Sequence, residues 1–235
     1  MTLPAENPGA AIVIGASGGI GSAILRRLAA QGAFNPVLGF GRSLPLKLDL
    51  GDESSIAAAA DLIGGLDAPP RLIFDATGFL HGDGFAPEKS WRQLDPGHMA
   101  HAFAVNAIGP ALLMKHLLPL LPRHGRSAFA TLSARVGSIG DNALGGWYSY
   151  RAAKAALNQL VHTAAIELAR RNPAAICVAL HPGTVDTGLS QPFAKNGLAI
   201  QTPDQAAERI LSVIEALPAG ASGGFFSYDG APITW

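Results

Sequence analysis

Short apolar runs alternate with helix-period stretches along the whole chain. Residues 11–14 (AIVI) form an uninterrupted apolar run that stops at Gly15. Ile20, Ile24 and Leu28 then recur at helical spacing through residues 20–31. The pattern repeats. Strands are predicted at 37–40, 46–50 (LKLDL, alternating), 71–74, 127–132, 174–180 and 223–228, and helices at 54–63, 96–121, 150–170 and 203–217. Pro110 falls inside the stretch 96–121, where a missing N–H predicts a kink.

Near-continuous apolar strands separated by helices predict a parallel sheet covered on both faces: an α/β, doubly wound fold with seven mainly parallel strands. No linker or repeat divides the sequence, so one domain over residues 1–235 is expected, with no separate substrate domain. The 17 basic and 17 acidic side chains balance to zero net charge, which gives no basic footprint for nucleic acid or an anionic membrane. One cysteine excludes an internal disulfide framework. The N-terminal residues lack a basic segment followed by an apolar one, and apolar runs fall short of about 18 residues, so a soluble cytoplasmic protein is expected. Glycine is the compositional outlier, 28 of 235 residues, or about 12% against a usual share of about 7%.

Part of that glycine sits at the junction of the first strand and first helix, in Gly15-Ala16-Ser17-Gly18-Gly19-Ile20-Gly21. Glycines there let backbone approach a pyrophosphate, and the helix N-terminus supplies open N–H groups and a positive dipole end. The spacing is G-x3-G-x-G rather than G-x-G-x-x-G. A dinucleotide site usually places an acid about 20 residues beyond, for the ribose 2′-hydroxyl. No acid occurs between Gly21 and Asp49; the corresponding segment carries Arg42 and Ser43, which predicts a 2′-phosphate and hence NADP(H) over NAD(H). A solvated surface arginine is the plain alternative for Arg42.

Tyr150 and Lys154 are four residues apart on a predicted helix, within about 40° on one face. An ammonium beside a phenol favours the phenolate and brings the proton within reach of general acid–base work. Tyr148 is six residues from Lys154 and does not face it.

These motifs together resemble the short-chain dehydrogenase/reductase family in its single-domain, Rossmann-fold form. Gly137-Ser138-Ile139, the run Gly145 to Tyr150, His181-Pro182-Gly183-Thr184-Val185-Asp186-Thr187, and the ending Asp229-Gly230…Ile233…Trp235 resemble its C-factor-like subgroup. The resemblance implies an NAD(P)-dependent oxidoreductase acting on a small-molecule carbonyl or alcohol and assembling as a homodimer or homotetramer. It implies transfer of the 4-pro-S hydride, with Tyr150 as general acid/base. Lys154 would bind the nicotinamide ribose and lower the tyrosine pKa, and Asn106 would hold a relay water. Cofactor contacts carry over to Gly15, Ser17, Gly18, Gly19, Ile20, Gly21, Arg42, Ser43, Asp49, Leu50, Ala76, Gly78, Asn106, Tyr150, Lys154, Pro182, Gly183, Val185 and Thr187. The loop 184–202, containing Gly188 and Gly197, would close over the substrate. A cofactor-binding signalling protein with weak turnover is the alternative that the subgroup implies.

Two departures stand out. The family's N-N-A-G reads Asp75-Ala76-Thr77-Gly78 here. The serine that orients the substrate oxygen falls at Ala134; Ser133, one residue earlier, is expected to take its place, with Ser138 as a further candidate. Cys177 reads as a buried core thiol. His98 and His101 are spaced like a metal pair but have no third ligand nearby, so no metal is expected. His181 reads equally well as a site-lining or a structural residue, and sequence does not sort Trp91, Trp147 and Trp235.

Overall fold

The computed structural model describes residues 9–82, 84–193 and 200–235. In chain order the principal elements are β1 (Ala10–Ile14), α1 (Gly19–Gln31), β2 (Val37–Phe40), α2 (Glu53–Gly64), β3 (Pro70–Asp75), α3 (Pro96–Phe103), α4 (Gly109–Leu117), β4 (Ser127–Leu132), α5 (Tyr148–Arg171), β5 (Ala175–His181), β6 (Thr184–Val185), β7 (Ile200–Gln201), α6 (Pro203–Ala216) and β8 (Phe225–Ser227). Six strands form one sheet in the order β2-β1-β3-β4-β5-β8, every neighbouring pair parallel. The chain leaves β1 for β2 on one side and returns to β3 on the other, which opens a crevice at the carboxyl end of β1.

Alternation along the strands sends side chains into two cores. Ile12, Ile14, Ile73, Phe129, Cys177 and Ala179 face Ile56, Leu113, Leu157 and Val161. Val13, Leu72, Phe74, Ala130, Val178 and Leu180 face Ile24, Leu28, Ile210 and Ile214. The strands read as continuous apolar runs because both faces are covered.

The strand predicted at 46–50 does not form, so the sheet has six strands among the described residues rather than seven. Its alternation is real: Leu46, Leu48 and Leu50 all pack on the first core. The backbone, however, curls back on the end of β2, where Gly41 N–H donates to the Leu46 carbonyl at 3.1 Å and Leu48 N–H to that of Gly41 at 3.4 Å. Periodicity reports which side chains are buried, not which backbone is paired. A separate parallel ribbon, β6 with β7, pairs Thr184 with Ile200 and Val185 with Gln201. Two residues per strand are too few for periodicity to reveal.

The kink predicted at Pro110 appears as a π-helical turn, Ala104–Ile108, between α3 and α4, in which Gly109 N–H donates to the Ala104 carbonyl five residues back. Pro110 supplies no N–H for the carbonyl of Asn106, and the wider turn absorbs the loss. The stretch Pro96–Leu120 is long and apolar enough, by length and composition, to cross a membrane. Within it, Ala102, Leu113 and Leu117 are fully buried in the fold.

Candidate active site

The glycine turn after β1 sits in the crevice. Gly15 has φ +75°, and a Cβ on it would stand 3.1 Å from the Ala76 carbonyl carbon; one on Gly21 would stand 2.2 Å from the Gly15 oxygen. The turn therefore closes on itself and on the end of β3, with no room for side chains. Helix α1 has no side-chain cap and no acid in its first turn. Its first N–H groups and positive dipole end remain available to an anion. A cradle of this kind fits the pyrophosphate of a dinucleotide. Ser17 and Gly18 are exposed on its rim, and Gly19 and Ile20 are half-buried.

Gly41 ends β2 against the Ser17 hydroxyl, which would lie 3.3 Å from a Cβ there. Arg42 and Ser43 follow, both exposed. The turn and these two residues thus share one corner of the crevice. Asp49 is exposed, and its Oδ1 accepts from Gly51 N–H at 2.9 Å. Leu50 packs on Gly109, where a Cβ would come within 2.8 Å.

At the end of β3, Asp75 is fully buried. Its Oδ1 accepts from Thr77 N–H at 3.0 Å and Thr77 Oγ1–H at 2.6 Å, and its Oδ2 accepts from Thr131 Oγ1–H at 2.7 Å. The carboxyl thus ties β3 to β4, which is what the departure at this position accomplishes. Burial pushes its pKa up, and these hydrogen bonds and Lys154 oppose the shift. Ala76 N–H donates to the Ile14 carbonyl at 2.9 Å. Gly78 lies where a Cβ would stand 3.6 Å from Asn106 Oδ1 and 3.9 Å from Lys154 Nζ. Asn106, in the π-turn, pins the next residue: its Oδ1 accepts from Phe79 N–H at 2.9 Å, and its Nδ2 donates to the Phe79 carbonyl at 2.8 Å. Its side chain is committed to backbone, so any water it holds would sit on its main-chain carbonyl.

Tyr150 and Lys154 lie on successive turns of α5, with the Lys154 Nζ 5.9 Å from the tyrosine ring centroid. Lys154 is buried and donates to the Leu132 carbonyl at 2.7 Å. Burial lowers its pKa to about 8, opposed by Asp75. The expected depression of the tyrosine does not occur in this state: burial raises the Tyr150 pKa, with no offset from the lysine. The ammonium is turned to Leu132, leaving the phenol protonated. Protonated Tyr150 is the form that donates to a carbonyl oxygen.

Sequence reasoning missed the residue that seats this helix. Glu88, buried in the segment after β3, accepts from Ser149 N–H at 3.3 and 3.2 Å and from the Ser149 hydroxyl. His98 Nδ1 stands 3.4 Å from the same carboxylate, and its ring stacks on Phe85 at 4.9 Å. That pairing explains His98 without a metal. Nothing around Glu88 in the sequence marks it, because its partners are ten and sixty-one residues away.

A cavity of about 270 Å³ opens over Tyr150, walled by Ile20, Leu80, Ala134, Trp147, Val185 and Leu189, with Ser133, Arg135, His181, Thr184, Thr187 and Ser190 contributing polar groups. Trp147 has φ +54°, an unusual conformation for a side-chain-bearing residue, and follows Gly145 and Gly146, both also at positive φ. The turn brings its ring 6.3 Å from that of Tyr150. Ser133 reaches the cavity wall, but its hydroxyl donates to Asn158 Oδ1 at 2.7 Å. Ser138 is buried elsewhere, donating to the Thr234 carbonyl at 2.5 Å. Trp235 stacks on Phe225 at 6.1 Å, and Trp91 is exposed. Cys177 is buried in the core and its thiol is pushed up to about 12, as its apolar setting predicts.

After β5, the Pro182 carbonyl accepts from Gln201 Nε2 at 3.0 Å, and Gly183 at φ +78° leaves space that Gln201 and Tyr228 fill. Val185 is buried in β6. Thr187 lies over the glycine turn: a Cβ on Gly19 would meet its methyl at 2.7 Å. The loop beyond is tethered where a ring nitrogen of His81 meets the Gly188 carbonyl at 3.0 Å. Gly197 lies outside the described residues. The structure thus gathers the glycine turn, Gly78, Asn106, Tyr150, Lys154, Pro182, Gly183 and Thr187 along the carboxyl edge of one sheet. Asp49 stands at its margin.

The short chain dehydrogenase family model matches residues 9–197. The C-signal of Myxococcus xanthus is 36% identical over 142 residues, covering 60% of this chain and 81% of that protein. A 1-hydroxy-2-glutathionyl-2-methyl-3-butene dehydrogenase of Rhodococcus sp. (strain AD45) is 29% identical over 233 residues, covering 95% and 98%. Among solved structures, the NADPH-bound carbonyl reductase from chicken fatty liver superposes with a TM-score of 0.84 at 25% identity, covering 97% of this chain and 95% of that one.

Proposed function

Because the chain belongs to the short chain dehydrogenase family, we propose that it is an NADPH-preferring oxidoreductase that interconverts a small carbonyl compound and its alcohol. One observation carries this reading: Tyr150 and the buried Lys154 stand on one face of α5, under a cavity that adjoins an uncapped glycine turn. Bound NADPH would supply the hydride. Tyr150 would give its phenolic proton to the carbonyl oxygen. Lys154, relieved of its Leu132 contact, stabilises the phenolate that remains. Asn106 fixes the backbone at Phe79 and offers its main-chain carbonyl to a water that refills the proton. The apolar wall excludes bulk water. NADPH-bound chicken carbonyl reductase and the zero-acid, Arg42-bearing end of β2 support the choice of the phosphorylated cofactor.

The same reading makes this a single-domain cytoplasmic enzyme whose subunits pair through the shallow apolar groove between α4 and α5, lined by Ala111, Met114, Leu118, Leu160, Ala164 and Leu168. A second reading has support from Ala134 and from the likeness to the C-signal: a cofactor-binding signalling protein with little turnover. Loss of NADPH absorbance over a panel of aldehydes and ketones separates the two. The enzyme reading expects turnover that Tyr150→Phe reduces by about 100-fold or more. NADPH binding with no turnover on any carbonyl would favour the second.

A further inference from the structure

A carbonyl oxygen has two lone pairs. One takes the proton from Tyr150, and a second donor aimed at the other stabilises the charge that develops on oxygen. Ala134 provides none. Of the serines beside it, Ser133 gives its hydrogen to Asn158 and Ser138 gives its own to Thr234.

The sheet register identifies another side chain at this place. β4 and β5 pair Leu132 with Leu180, and Ser133 N–H donates to the Leu180 carbonyl at 2.8 Å. His181 is therefore the β5 residue abreast of Ser133 and Ala134. Alternation puts it on the face of Cys177 and Ala179, the face that packs beneath α5. Its side chain lines the same cavity as Tyr150. Its Nδ1 is buried with no hydrogen-bond partner among the described residues. An N–H sealed there without an acceptor would cost about 1–3 kcal/mol, so the ring hydrogen belongs on Nε2.

We propose that His181 is a catalytic residue of this chain, donating a ring N–H to the substrate oxygen from the side opposite Tyr150, in place of the missing hydroxyl. The inference rests on the oxidoreductase reading. No atom is transferred to or from the imidazole; it acts as a fixed donor. Burial and the Arg135 guanidinium keep the ring neutral, with its pKa near 4, so one nitrogen carries a hydrogen and the other a lone pair. The tautomer protonated at Nε2 leaves a lone pair, rather than an N–H, at the closed Nδ1 position, and sends the donor to the cavity side. The substrates that gain most are those whose oxygen carries the most charge in the transition state, ketones and aldehydes rather than activated double bonds.

The test uses the full chain with NADPH and the carbonyl that wild type turns over fastest. His181→Ala is expected to lower kcat by about 100-fold while NADPH affinity stays within about twofold. Adding Ala134→Ser to His181→Ala is expected to restore at least tenfold of that loss, a recovery that a purely structural histidine would not show. His181→Leu, which removes the donor and keeps most of the volume, serves if the alanine variant does not fold. Should His181→Ala, or His181→Leu in its place, run at the wild-type rate, or lose activity that an added Ala134→Ser leaves unrecovered, the assignment of His181 is wrong. Wild-type protein inert toward every carbonyl overturns both this inference and the function it rests on; normal turnover in the His181 variants overturns this inference alone.

Discussion

Glu88 holds the first turn of the helix that carries Tyr150 by accepting from both the amide and the hydroxyl of Ser149. Its own backbone carbonyl accepts from Trp147 N–H at 2.5 Å, fixing the turn that leads into α5. One residue thus seats both Tyr150 and the aromatic wall beside it. Negative charge at a helix N-terminus also has the favourable sign for the helix dipole.

Glu88→Ala would leave the Ser149 donors and His98 buried without their acceptor. The expected loss is about 3 kcal/mol, from removing charge-assisted hydrogen bonds in a buried setting. For a chain of this size that lowers Tm by roughly 6–12 °C. NADPH affinity of the folded variant should fall less than kcat does, because the glycine turn lies on other elements whereas Tyr150 loses its seat. Calorimetry and steady-state kinetics on the same preparation check both halves. Unchanged kcat would mean that the helix start is positioned by the glycines before it.

Arg42 is exposed beyond β2, in the corner occupied by Ser17 and Gly41. Arg42→Ala should weaken NADPH binding by tenfold or more, about 1.4 kcal/mol, and leave NADH binding nearly untouched. Fluorescence titration with both cofactors reads the ratio. Equal losses would assign the arginine to the shared part of the dinucleotide, and no loss would return it to the solvent.

His181 also makes stability depend on pH. Its pKa falls from 6.5 to about 4 on folding, through burial first and Arg135 second, with Asp229 and Asp141 pulling the other way. The unfolded chain therefore binds this proton more readily than the folded one, and stability drops as pH falls from about 6.5 to about 4, by up to about 3 kcal/mol. Below that range the two states hold the proton alike and the contribution stays lost. Melting curves across this interval should show wild type losing stability relative to His181→Gln as the pH falls; parallel curves would show that the ring titrates normally.

The sequence carried most of the architecture because each strand repeats one instruction: apolar residues on both faces, bounded by a glycine or a polar turn. The glycine turn and the Tyr150–Lys154 pair were legible for a related reason, since their spacing is local and one helical or loop geometry decides it. What eluded the sequence is non-local. Glu88 acts on Ser149 sixty-one residues away, and no periodicity connects them. The direction of the Ser133 hydroxyl depends on Asn158, twenty-five residues on. The run 46–50 misled in the opposite sense: its leucines are buried as strand leucines would be, while its backbone bonds to the end of β2. The tyrosine's acidity was misjudged because spacing places a lysine near it without saying where the ammonium turns.

The π-turn at Ala104–Ile108 divides one long helix into two with separate angular frames. An extra residue in the turn rotates everything after it by about 100° relative to an unbroken helix. The half before it packs α3 against α5, close to the chemistry; the half after it packs α4 against α2 and α5 and borders the apolar groove. Substitutions that reshape the groove need not disturb the site, and the reverse holds too. Deleting one residue at the turn would merge the two frames, turning Asn106 away from Phe79 or the groove toward a different side of the molecule.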